Sequence, residues 1–94
     1  MGVAWTIRYH AKIVTEDISR LSTADKQRIR TAIEQKIGSE PDVFGILLRR
    51  SLKGYRKLRV GDYRIIFQIK DTVIKILVIQ HRSVIYKNTG KRLD

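Results

Sequence analysis

Two runs of alternating side chains, Tyr55 to Val60 and Tyr63 to Lys70, meet at Gly61 and Asp62. Glycine at the first central position of a two-residue loop supplies the backbone conformation that such a loop demands, so this stretch reads as a β-hairpin. A loop of that length fixes the cross-strand partners by counting. Val60 faces Tyr63, Leu58 faces Ile65 and Arg56 faces Phe67 on a mostly apolar side; Arg59 faces Arg64, Lys57 faces Ile66 and Tyr55 faces Gln68 on a cationic side. Two arginines set opposite each other destabilise a sheet by about 0.2–1 kcal/mol. Either both splay into water, where salt screens them, or an anion between them reverses the sign.

Asp71 and Thr72 form a weaker turn signal, which returns Val73 to Arg82 along the middle strand. The implied register sets Ile65, Phe67 and Ile69 against Val78, Ile76 and Ile74, so the apolar side continues across three strands. On the other side Arg64 meets Ile79, Ile66 meets Leu77 and Gln68 meets Lys75, with His81 at the end near Asp62.

Before the hairpin, Trp5, Ile7 and Tyr9 alternate with Ala4, Thr6 and Arg8, the pattern of a short outer strand whose aromatic side is core. From Ala11 to Leu21 the period becomes helical, with Val14, Ile18 and Leu21 inward and Glu16 and Asp17 outward. His10 stands at the helix start. Ser22, with Asp25 three residues on, caps a second helix running to about Ile37, whose stripe is Ile29, Ala32, Ile33 and Ile37. Gly38 stops it and Pro41 prevents its resumption. The apolar residues Val43, Phe44, Ile46, Leu47 and Leu48 are expected to plug one end of the core, and Arg49, Arg50 and Lys53 lead basic into the hairpin. The expected fold is α+β: a helical hairpin on one face of a small antiparallel sheet, in the order β-α-α-β-β-β, leaving the cationic face bare.

At 94 residues the chain is expected to be a single domain, 1–94, with one modest core. The absence of Cys excludes disulfides and thiolate metal sites. No apolar run reaches the ~20 residues of a membrane span and the first residues lack a secretory layout; the expected location is cytoplasmic, without a membrane partner. The net charge is +11, and up to residue 42 seven Lys and Arg nearly cancel six Asp and Glu, whereas beyond it thirteen stand against three. The excess sits on the sheet half, as expected for contact with a polyanion; an acidic protein partner is the alternative.

The stretch Arg59-Val60-Gly61-Asp62-Tyr63-Arg64, preceded by Leu52, Lys53 and Gly54 and followed by a strand ending in His81, Arg82 and then Tyr86, closely resembles the RelE/ParE superfamily of bacterial and archaeal toxins. The element order resembles that family over nearly the whole chain. The resemblance implies the toxin of a toxin-antitoxin pair, held inactive by a cognate antitoxin protein. RelE-like members act on the ribosome and cleave messenger RNA (mRNA interferases), with no metal or other cofactor; ParE-like members inhibit DNA gyrase. A basic nucleic-acid-binding module without catalysis is the alternative from another class.

Cleavage through the ribose 2′-hydroxyl needs a proton acceptor, cations for the charge on phosphate, and a proton donor for the 5′-oxygen. By resemblance Arg64 matches the phosphate-stabilising arginine and Lys57 a lysine serving as base, which requires its pKa to be lowered by neighbouring cations. Tyr86 matches a tyrosine that stacks on or orients the nucleotide, while His81 and Arg82 stand where relatives place a cation or an acid. Arg49, Arg50, Lys53, Arg56, Arg59 and Lys75 are the candidate phosphate contacts. Each has a plainer role open to it: Arg64 as partner of Asp62, Lys57 as a solubilising group, His81 as a surface residue, Tyr86 as cover for Ile66, Leu77 and Ile79. That apolar patch also suits an antitoxin segment or the tail from Lys87 onward. Gln80, Ser83 and Val84 depart from the family pattern, which implies altered nuclease activity.

Overall fold

The structure, a computed structural model, describes residues 4–48 and 54–92. Strand β1 (Thr6–Tyr9) leads into α1, a π-helical turn over Ile13–Asp17 closed by a 3₁₀ turn over Ile18–Arg20. Helix α2 is α-helical over Thr23–Ala32 and π-helical over Ile33–Ile37. A single turn, α3 (Pro41–Phe44), and a two-residue strand, β2 (Ile46–Leu47), precede β3 (Tyr55–Val60), β4 (Tyr63–Lys70) and β5 (Val73–His81); α4 (Ile85–Arg92) follows. The sheet order is β1-β5-β4-β3-β2, with β1 parallel to β5 and the other pairs antiparallel.

The β3–β4 register is the expected one at all six positions, from Val60 opposite Tyr63 to Tyr55 opposite Gln68. Gly61 has φ 59° at the head of this turn, and Asp71 takes φ 57° at the head of the next, a conformation that Asp tolerates better than most residues. The β4–β5 pair departs from expectation halfway. Ile69 opposite Ile74, Gln68 opposite Lys75 and Phe67 opposite Ile76 hold, but a bulge between Ile66 and Phe67 then moves the partners by one. Ile66 faces Val78 rather than Leu77, Ile65 faces Ile79 rather than Val78, and Arg64 faces Gln80 rather than Ile79. One extra residue on one strand turns over every side chain beyond it. Ile79 therefore joins the core under the helices, while Leu77 and Val78 both face the other side.

Two apolar clusters result, one on each face. Ile29, Ala32, Ile33 and Ile37 of α2 pack with Leu58, Ile65, Phe67, Ile74, Ile76 and Ile79, and Ile7 of β1 with the preceding Trp5 closes the edge. On the opposite face Ile66, Leu77 and Val78 pack beneath Ile85 of α4, with Leu48 and Tyr55 alongside. The cationic face is thus bare only in part: α4 covers the apolar patch on β4 and β5. The expected cover was the tail from Lys87 onward over Ile66, Leu77 and Ile79; instead Ile85 lies over Ile66, Leu77 and Val78, and Ile79 is on the helix side.

Helix α1 corrects the sequence reading at two positions. Ile13 is buried and Val14 is 65 % exposed, while Asp17, expected outside, is 1 % exposed. The wider π turn rotates the stripe away from α-helical spacing. His10 serves as a start group, its Nδ1 accepting from Lys12 N at 3.1 Å, and Ser22 caps α2 by accepting from Asp25 N at 3.1 Å. Pro41 opens a new helical turn at its first position instead of merely ending the old one. Of the residues expected to plug the core, Leu48 packs on the second cluster, whereas Phe44, Ile46 and Leu47 are exposed. Ile46 and Leu47 lie exposed as an edge strand opposite Lys57 and Arg56, beside Gly45, whose missing Cβ leaves room for the Phe67 ring. The side chain of Val43 lies outside the described residues.

Candidate nucleic-acid interface

Strand alternation carries Lys57 and Arg59 of β3 and Arg64 of β4 to the face opposite α1 and α2, and α4 brings Tyr86 to the same side. Lys57 Nζ donates to the Tyr86 hydroxyl at 3.0 Å and lies 5.6 Å from the ring centroid. The phenolic hydrogen is therefore directed elsewhere. Tyr86 is 55 % exposed, so one side of this pair faces solvent.

Arg64 stands opposite Arg59, as counting from the hairpin loop required. Its repulsion is relieved internally. Nη1 donates to the carbonyls of Gly61 and Tyr63, both at 2.9 Å, which draws the guanidinium toward the turn and leaves the residue only 8 % exposed. Arg59 remains exposed. At the same end Arg82 N donates to Asp62 O at 2.8 Å, and its side chain is 3.9 Å from the Asp62 carboxylate.

Other expected site residues lie elsewhere. The bulge carries His81 opposite Tyr63, on the helix side rather than the cationic side; the two rings meet edge-on at 5.7 Å. Its Nδ1 is engaged with Ser83 Oγ at 2.8 Å and Ser83 N at 3.1 Å, so it braces the turn before α4. Arg56 shares the side of Phe67, and its Nη1 donates to Gly45 O at 3.0 Å. Lys75 is on the cationic side but one row further from the hairpin, between Gln68 and Arg8. Arg49, Arg50 and Lys53 lie outside the described residues.

A buried cluster of charge around Asp17 escaped the sequence reading. The Asp17 carboxylate accepts from Ile79 N at 2.9 Å, from Gln80 Nε2 at 2.9 Å, and from Arg92 Nη1 and Nη2 at 2.6 and 2.7 Å. Arg92 also reaches Leu77 O at 3.3 Å and Glu16 at 3.2 Å. Hydrogen bonding to Asp17, against the opposing effect of burial, raises the Arg92 pKa further above its ordinary value. β1 ends at Tyr9, so among the described residues no strand continues along that edge of β5 beyond Ile76, and Asp17 takes the place of a strand partner at Ile79. A signal was present at Ile85, Thr89 and Arg92, which repeat at helical spacing and are all buried.

A family model described as the ParE toxin of the type II toxin-antitoxin system parDE matches residues 8–86. No curated protein matches the chain by sequence. Among solved structures, the RelBE2 toxin-antitoxin complex of Mycobacterium tuberculosis aligns with a TM-score of 0.75 at 29 % identity, covering 86 % of this chain and 94 % of that one. The RelB-RelE antitoxin-toxin complex of Methanococcus jannaschii aligns at 0.66 with 20 % identity, covering 85 % and 95 %. A free mutant form of E. coli toxin RelE aligns at 0.71 with 17 % identity, covering 98 % and 100 %. The last two establish likeness of fold alone. Because the family model spans the chain from β1 to the first turn of α4, the protein belongs to the ParE toxin family, within the RelE/ParE superfamily of type II toxin-antitoxin toxins.

Proposed function

We propose that this toxin is an endoribonuclease that cuts messenger RNA on the ribosome and is silenced by a cognate antitoxin. The observation that carries the reading is the Lys57–Tyr86 pair, 3.0 Å apart, on the face it shares with Arg59 and Arg64. A 2′-hydroxyl attacks the adjacent phosphate, forming the P–O2′ bond and breaking the P–O5′ bond, to leave a 2′,3′-cyclic phosphate and a 5′-hydroxyl. Lys57 takes the 2′-hydroxyl proton. The exposed Arg59 faces the charge that builds on the phosphate, and Arg64, held against the turn, adds the field of its charge from behind. Once it holds the 2′-hydroxyl proton, Lys57 donates to the Tyr86 oxygen as in the 3.0 Å contact, and the Tyr86 hydrogen passes to the leaving oxygen. His81 is not assigned that part, because it is turned to the helix side and bonded to Ser83. The likeness to the RelBE2 complex supports this branch and the antitoxin partner.

Ribosomes programmed with a defined message, incubated with the protein, are expected to yield fragments ending in a cyclic phosphate. Lys57→Ala and Arg64→Ala are each expected to slow single-turnover cleavage on the order of 10²-fold or more. Intact message with wild-type protein would sink the reading, and binding without cleavage would favour a non-catalytic basic module. A second reading has its own support: the matched family model is that of ParE, and ParE-like members act on DNA gyrase. Loss of gyrase supercoiling with translation intact would establish it.

A further inference from the structure

The eight residues of α4 do not make a stable helix by themselves, since isolated helices of this length are marginal and Thr89 and Gly90 are weak helix formers. Tertiary contacts must hold it. Its buried stripe consists of Ile85 at one end, Thr89 bonding back to Ile85 O, and Arg92 at the other end. Ile85 is an apolar anchor against Ile66, Leu77 and Val78. Arg92 is an ionic one, with a side chain 5 % exposed against an Asp17 side chain 0 % exposed. The same carboxylate is fixed from two further directions by Ile79 N and Gln80, so it is a rigid post at the edge of β5. Tyr86 is the residue next to the apolar anchor and accepts from Lys57 Nζ at 3.0 Å.

We infer that Asp17 is a positioning residue for the candidate site: through Arg92 it fixes α4, and α4 fixes Tyr86 against Lys57. Its effect on cleavage rests on the ribonuclease reading, whereas its effect on the Lys57–Tyr86 geometry does not.

The test uses the full chain, wild type and with Asp17→Asn or Arg92→Lys. The Lys57 ε-methylene resonance, shifted by the Tyr86 ring, reports the pair; amide exchange reports α4; ribosome-dependent cleavage reports the site. With Asp17→Asn the ring-induced shift is expected to disappear and exchange at 85–92 to rise about tenfold or more, with β3 and β4 still protected. The cleavage rate then falls while half-saturation changes little. Arg92→Lys, which keeps a cation but loses the fork, is expected to lie between. If Asp17→Asn unprotects the whole sheet, Arg92→Lys alone decides, since it leaves Asp17 bonded to Ile79 and Gln80. An unchanged Lys57 signal or unchanged α4 exchange overturns the inference, even if cleavage falls. A wild-type protein that cuts no RNA overturns the proposed function and leaves the resonance and exchange results to decide this one.

Discussion

His10 shows how one side chain can tie pH to stability. Its Nδ1 accepts the Lys12 N–H, a bond that only the uncharged form of that nitrogen makes. Burial first, then the charges of Arg92, Lys75 and Lys12, pull its pKa below the ordinary 6.5, with Asp17 opposing. The folded state therefore resists protonation more than the unfolded chain does. The contribution is fully present above pH 6.5 and is lost as the pH falls through the lowered value. Urea midpoints are expected to drop between pH 7 and 5, and His10→Asn, which caps without titrating, to flatten that drop. The role of His10 was readable from its position before the helix. The inward turn of Asp17 was not, because a carboxylate at a presumed α-helical spacing reads as solvated, and nothing local announces the π turn that rotates it.

At the scale of elements, the hairpin was legible because Gly61 and Asp62 specify both loop length and register. The bulge was hidden, because Ile76, Leu77, Val78 and Ile79 are all apolar and every register through them keeps apolar opposite apolar. Once α4 covers the second face, β5 is buried on both sides there, and alternation no longer reports orientation. The same blindness misplaced β2, where hydrophobic composition suggested core. Ile46 and Leu47 are 63 % and 54 % exposed, so Ile46→Lys and Leu47→Lys are expected to change stability by no more than about 0.5 kcal/mol by urea denaturation. Because charged residues blunt an open edge, both variants are also expected to aggregate less in light scattering.

For the molecule as a whole, the uneven charge was visible in the sequence, and the sheet turns it into geometry by placing Lys57, Arg59, Arg64 and Lys75 on one side. Binding to single-stranded RNA is expected to weaken linearly in a log-log plot against salt. Lys57→Gln makes that slope shallower by about 0.7 if it removes one phosphate contact. Fluorescence titration at several salt concentrations measures it.

The pairing of β1 with β5 has a temporal meaning. The first strand to be synthesised finds its neighbour only when the last strand has emerged from the ribosome, and Asp17 finds Arg92 later still. Contacts this distant along the chain slow folding, because the loop-closure cost comes before the contact that offsets it.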